Sequence, residues 1–321
     1  GALDGVSPVS VRFNPYKIQQ SASDAGGESD RPSVGTAIAD NGQSFFDAVS
    51  KENEFSNDIV QGNSFVNGIW PNLLQGNEVP WCSDGYYLPE RPSFTLDPMF
   101  HAGGYYVQEA GSMFIGQIFR QLCGANPEHS LRVLDLCAAP GGKTTLLSSL
   151  AGPESLIVAN EPVRARAAVL SDNVRRWGIG NVVVTSADPA RFAPFGHYFD
   201  LILVDAPCSG EGMFRKEAVA AAQHNNALVA HCAELGAEIL ENAAALLAPG
   251  GVLVYSTCTF APAEDEEQIA AFLAKHPAFT LCDLSGCGFG RPGEANRAPD
   301  YPDFRAGYTR RIWPADGGEG H

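Results

Sequence analysis

The sequence predicts an α/β fold, a mostly parallel, Rossmann-like sheet with helices on both faces, and three observations predict it. From Leu131 onward, short β-branched runs alternate with helical stretches, the pattern of parallel strands joined by right-handed crossovers. The runs are apolar throughout rather than at every second residue, as strands covered on both faces require. Several also close on acidic or thiol-bearing residues, and in such sheets ligands sit outside the carboxyl ends of the strands. With 321 residues the chain can bury a full-sized core in one large domain with an appendage, so it needs no disulfide staples.

In chain order, the stretch from about Gln19 to Asn77 is rich in Ser, Asn, Gly and Asp with only short apolar runs, and it reads as a long irregular loop or insertion. The segment YYVQEAGSMFIGQIFRQLC places Val107, Ala110, Met113, Phe114 and Ile118 on one side at helical spacing, which predicts an amphipathic helix leading into the main domain. Then follow LRVLDL and the helical KTTLLSSLA; SLIVANE and PVRARAAVLSDNVRRWG; NVVVTSAD; DLILVDAP and a long Ala-rich segment to Leu247; GVLVYSTC and EDEEQIAAFLAKH. The residues closing these runs are the site candidates: Asp135 to Cys137, Glu161, Asp188, Asp205 to Cys208, and Thr257 to Cys258. In a doubly wound sheet the fourth and fifth strands lie near each other, so Cys208, Cys258 and Asp205 are expected to share a pocket.

Composition excludes several classes. The eight cysteines are scattered, with no CxxC and no spaced Cys/His set, so neither a metal site nor a disulfide framework is expected, and a reduced cytoplasmic chain is. No stretch approaches the roughly 18 apolar residues that cross a bilayer. The net charge of −16 argues against a polyanion partner, and it is spread over the chain: residues 1–100 hold 13 acids and 5 bases, residues 101–321 hold 24 and 16. Local basic clusters remain, among them Arg164, Arg166, Arg175 and Arg176, or Arg305, Arg310 and Arg311.

The first strand of the main domain runs into CAAPGGKTT. Residues Cys137, Ala138, Ala139, Pro140, Gly141, Gly142 and Lys143 form a small, glycine-bearing turn opening a helix, where amides point outward and backbone can approach a ligand. It is neither a P-loop nor GxGxxG. A tight turn without a ligand is the plain alternative. Glu161 lies 19 residues after Gly142, close to the offset at which an acid grips ribose hydroxyls. Asp188 is placed for the adenine edge or the adjoining loop; seen singly, either acid is equally a helix N-cap. For Cys123, Cys137, Cys232, Cys282 and Cys287 a small buried hydrophobe is the expected role. Cys208 and Cys258 follow apolar strands beside polar or basic neighbours, where a thiolate can form. Covalent logic needs one nucleophile and does not say which thiol attacks.

At CAAPGGKTT, NE, LVDAPCSGEG and YSTCT, in this order and spacing, the chain resembles the Nop/Sun family of RNA 5-methylcytosine methyltransferases. SVRFNPYK, VPWCSDGYYL, YYVQEAGSM and RRIWPADGGEGH look like that family's bacterial 16S ribosomal RNA branch. The resemblance implies the class I S-adenosylmethionine-dependent methyltransferase fold with a small N-terminal α+β extension. It implies a partial RNA-binding-type extension over residues 1–100 and a methyltransferase catalytic domain over 101–321, truncated before a final strand and a C-terminal RNA-binding module. Cys258 is similar to the nucleophile of the family's TC motif and Cys208 to the PC-motif cysteine that assists release of methylated RNA. Cys137 to Lys143, Glu161, Asp188 and Asp205 match its contacts to S-adenosyl-L-methionine. DNA cytosine methyltransferases attack with the cysteine of a PCQ-type motif, whereas here Ser209 and Gly210 follow the PC and a second cysteine is present.

Cytosine carbon 5 is not nucleophilic enough to take a methyl group unaided. A thiolate adding to carbon 6, with an acid such as Asp205 holding ring nitrogen 3, makes carbon 5 a competent nucleophile. Lys143 either lowers the thiol pKa, orients the base, or faces solvent. The expected partner is RNA, ribosomal before transfer RNA, the base leaving its stack; the chain is expected to act as a monomer without membrane or metal. A catalytically silent RNA-binding assembly factor and a small-molecule or protein methyltransferase of the same fold are the rivals. The last leaves the second strand-end cysteine without a role.

Overall fold

The computed structural model describes residues 7–17, 78–124, 130–318 and 320. The expected irregular loop at 19–77 lies outside the described residues. Five apolar runs form a parallel sheet: β5 (Arg132–Asp135), β6 (Leu156–Asn160), β7 (Val182–Thr185), β8 (Phe199–Asp205) and β9 (Leu247–Ser256), in the order β7-β6-β5-β8-β9. Successive side chains of a strand point to opposite faces, and each face has its own core. Val133, Leu201 and Leu203 pack on one side with Leu147 and Ile115, whereas Leu134, Ile202 and Val204 pack on the other with Ile239, Ala243 and Leu246. This is why the runs are apolar throughout.

The helices follow the expected segments: α2 (Ile115–Cys123), α3 (Gly142–Leu150), α4 (Arg164–Trp177), α6 (Asn226–Leu246) and α7 (Glu266–Lys275), with the short α1 (Pro98–His101) and α5 (Ala218–Gln223) between them. Asn225 caps α6, its side-chain oxygen accepting from the Leu228 amide at 3.0 Å. No helix among the described residues is long and apolar enough to cross a membrane.

The N-terminal part forms a second, antiparallel sheet of β1 (Val9–Phe13), β2 (Glu78–Val79), β3 (Cys82–Leu88) and β4 (Tyr105–Val107), in the order β2-β3-β1-β4. It packs around Val11, Phe13, Tyr86, Leu88 and Tyr105. β4 corrects the helix expected over YYVQEAGSMFIGQIFRQLC. Its aromatic and β-branched residues complete a sheet edge, with Val107 opposite Val11. Glu109 then accepts from the amides of Gly111 and Ser112 at 2.8 and 2.7 Å, forming a turn, and the helix starts only at Ile115.

Candidate active site

The carboxyl ends of β5, β6, β8 and β9 form one rim. At the end of β5, Asp135 is fully buried; Thr144 donates to its Oδ2 at 2.6 Å, and its Oδ1 has no hydrogen-bond partner among the described residues. Burial pushes this carboxyl up to about 7. The chain then turns through Cys137–Lys143. Gly141 has φ 108°, in the left-handed region open to glycine, and a Cβ there would stand 3.0 Å from Leu170. Gly141 caps α3, so the amides of its first turn face the rim. Lys143 is buried, its Nζ 2.5 Å from Asp205 Oδ1.

Glu161, next after β6, is 1% exposed; it accepts from the Val163 amide at 2.9 Å and pairs with Arg166 at 3.1 Å. Arg166 also donates to the Ala139 carbonyl at 3.1 Å, linking the acid to the loop. Asn160 ties the next strand end in, its Oδ1 accepting from Thr185 Oγ1 and the Ala187 amide at 2.9 and 3.0 Å. Asp188 lies beyond, exposed, and caps a short 3-10 helix by accepting from the Ala190 amide, the role open to it from sequence.

Asp205 stands opposite Ser256 across the β8–β9 register and accepts from Ser256 Oγ at 2.7 Å. Just past these residues, Cys208 Sγ and Cys258 Sγ are 3.2 Å apart, and the Cys258 amide donates to Cys208 Sγ at 3.3 Å. Two thiols this close cannot both ionise cheaply. The hydrogen bond from Cys208 holds the Cys258 thiol below its ordinary range and outweighs burial, with Lys143 adding to the effect. Donating that bond, together with burial, pushes Cys208 well up. The arrangement thus makes Cys258 the more acidic thiol of the pair and Cys208 the less acidic. Cys137 is driven up by burial. Cys232 and Cys287 are buried and Cys123 is half-buried, but Cys282 is exposed, against the buried role expected for it; it lies in irregular chain after α7.

Sequence reading missed the brace that holds the two thiols in register. Glu264 is 1% exposed and accepts from the Ser209 amide at 2.8 Å and Ser209 Oγ at 2.6 Å. Glu211 accepts from Thr259 Oγ1 at 2.9 Å and the Phe260 amide at 2.7 Å, and the Ser209 and Thr259 hydroxyl oxygens lie 2.9 Å apart. Residues directly after each cysteine are therefore cross-tied. Ser209 and Glu211 sit inside CSGEG, a visible signal, whereas Glu264 was hidden in an acidic run opening a helix.

Solved structures share this architecture. A methyltransferase homolog protein from Pyrococcus horikoshii superposes with a TM-score of 0.68 at 27% identity, covering 99% of this chain and 86% of that one. NSun6 from the same organism, solved with SFG, gives 0.64 at 20% identity over 99% and 90%, a likeness of fold alone. Fold and rim define a class I, S-adenosylmethionine-dependent type of methyltransferase fold. The family described as 16S rRNA methyltransferase RsmB/F matches residues 123–320, and the chain belongs to it. The N-terminal domain of 16S rRNA methyltransferase RsmF matches residues 38–110. Among curated relatives, ribosomal RNA small subunit methyltransferase F of Cronobacter sakazakii is 37% identical over 225 residues, 68% of this chain and 46% of the relative. That of Serratia proteamaculans is 40% identical over 204 residues, 62% and 41%. The chain thus spans less than half the length of these relatives.

Proposed function

We propose that the chain is the catalytic body of an enzyme that methylates carbon 5 of a cytosine in RNA, using S-adenosylmethionine and a covalent cysteine adduct. The observation that carries this reading is the pair of thiols 3.2 Å apart at adjacent strand ends, one held low and one high, next to the Lys143–Asp205 ion pair. The names of the relatives support 16S ribosomal RNA as substrate; transfer RNA is the second candidate. A cytoplasmic location suits a thiol pair that must stay reduced to work.

The residues fit the methyl donor. The turn at Cys137–Lys143 offers outward amides at a helix N-terminus, Glu161 offers a buried carboxylate for ribose hydroxyls, and the buried, unpartnered oxygen of Asp135 leaves acceptor capacity behind the loop. Asp188 is the adenine-side candidate. When bound, S-adenosylmethionine supplies the methyl group that carbon 5 receives.

Cys258 attacks carbon 6 of the flipped cytosine. The S–C6 bond forms, the C5=C6 electron pair moves onto carbon 5 and into ring nitrogen 3, and Asp205, having taken a proton from solvent as the base binds, donates it to nitrogen 3 and regains it when the double bond reforms. Lys143, paired with Asp205, keeps a positive charge beside both groups. Once Cys258 is bonded to carbon, the negative charge that kept Cys208 protonated is gone and Cys208 can ionise. It then takes the carbon-5 proton, the double bond reforms, and Cys258 leaves as thiolate. Bisulfite mapping of RNA from a strain lacking the gene should reveal a missing cytosine mark in 16S ribosomal RNA. The wild-type gene should restore it and Cys258→Ala should not; restoration by Cys258→Ala would sink the assignment.

A further inference from the structure

Against the Cys137–Lys143 loop lies a buried cation with no part in the proposed reaction. Arg12, mid-strand in β1, is 1% exposed, yet among the described residues it has no carboxylate ion-pair partner. Its Nε donates to Gln108 Oε1 at 2.7 Å, and its Nη2 donates to Thr145 Oγ1 at 2.7 Å and to the Gly142 carbonyl at 3.2 Å. The guanidinium carbon stands 4.4 Å from the centre of the Trp177 ring. Gln108 itself lies 3.4 Å from where a Gly142 Cβ would be. Tyr106 of β4 donates to the Pro140 carbonyl at 3.1 Å. The N-terminal sheet therefore grips the loop and the first turn of α3.

A cation against the first turn of a helix opposes the helix dipole, whose amino end is already positive. Burial adds to that cost and pulls the guanidinium down to about 10, still charged at neutral pH. The turn has ties besides Arg12: Thr144 donates to Asp135 at 2.6 Å and Thr145 Oγ1 donates to the Gly142 carbonyl at 3.0 Å. Cys82 and Asp84 of β3 already act on this charge electrostatically, and a negative group docking at the same helix end, where the amides point, adds a further favourable partner.

We propose that Arg12 is a positioning residue for the methyl donor: it fixes the first turn of α3 and raises the positive potential at that helix end, favouring the carboxylate of the donor's amino-acid tail. The inference rests on the Cys137–Lys143 loop being the donor site. It gives the N-terminal sheet a part in donor binding as well as in any contact with RNA.

The test compares two ligands by calorimetric titration of the whole chain. S-adenosylhomocysteine carries the amino-acid carboxylate; 5′-methylthioadenosine keeps the adenosine and lacks that tail. Arg12→Gln should weaken S-adenosylhomocysteine by about tenfold, the size expected of a partly buried charge at a helix terminus, and leave 5′-methylthioadenosine within about twofold. Arg12→Lys, which keeps the charge and loses the fork, should hold S-adenosylhomocysteine within about threefold of wild type, and this variant decides the matter alone if Arg12→Gln does not fold. Equal weakening of both ligands, or no weakening of either by Arg12→Gln, would overturn the proposal, as would a loss of about tenfold with Arg12→Lys. Wild-type protein that binds neither ligand would instead remove the donor-site reading on which it stands.

Discussion

Single residues set the chemistry through charge. Cys258 is the more acidic thiol of its pair because Cys208 donates to it and because the positive charge of Lys143 stands nearby. A thiol held below its ordinary range is thiolate above that lowered value and loses its charge as pH falls through it. The acid limb of the methylation rate should therefore report Cys258. Lys143→Met removes the favourable charge and leaves Asp205 unopposed, so both changes raise the thiol pKa. The limb should move to higher pH, read from single-turnover rates across pH; an unmoved limb would show that Lys143 does not act on the thiol. Cys208 and Cys258 were legible in sequence as strand-end thiols, but their inequality was not, because it comes from a contact between residues fifty positions apart.

Elements carry these residues to the rim. The five strands were legible because burial on both faces leaves an unbroken apolar run, and their ends named Asp135, Glu161, Asp205, Cys208 and Cys258 together. Tyr105–Val107 was misread because three residues are too few to show a period, and its strand character comes from pairing with Val11 and Phe13. The brace of Ser209, Thr259, Glu211 and Glu264 joins two loops and leaves no periodic trace at all. Ser209→Ala removes its central hydroxyl and strands an oxygen of the buried Glu264. Urea unfolding should show a loss of about 1–3 kcal/mol, the cost of an unsatisfied buried polar group. Slower methylation should accompany it, since Cys208 and Cys258 are then held less firmly in register; wild-type stability would remove the brace from the account.

At the scale of the molecule, two sheets cooperate. The parallel sheet presents the thiols and the loop, and the antiparallel N-terminal sheet closes on that loop through Arg12 and Tyr106. A net charge of −16 gives this body little general attraction for phosphates, so the proposed covalent step, rather than bulk electrostatics, is where engagement with RNA is to be measured. In the proposed mechanism Cys258 makes the bond to the base and Cys208 is needed to break it. The most direct measurement is denaturing electrophoresis of each variant after incubation with S-adenosylmethionine and a 16S ribosomal RNA substrate. Cys208→Ala should accumulate a covalent protein–RNA band, and both Cys258→Ala and the double variant should give none. A band from Cys258→Ala, or its absence from Cys208→Ala in protein that still binds RNA, would contradict the division of labour.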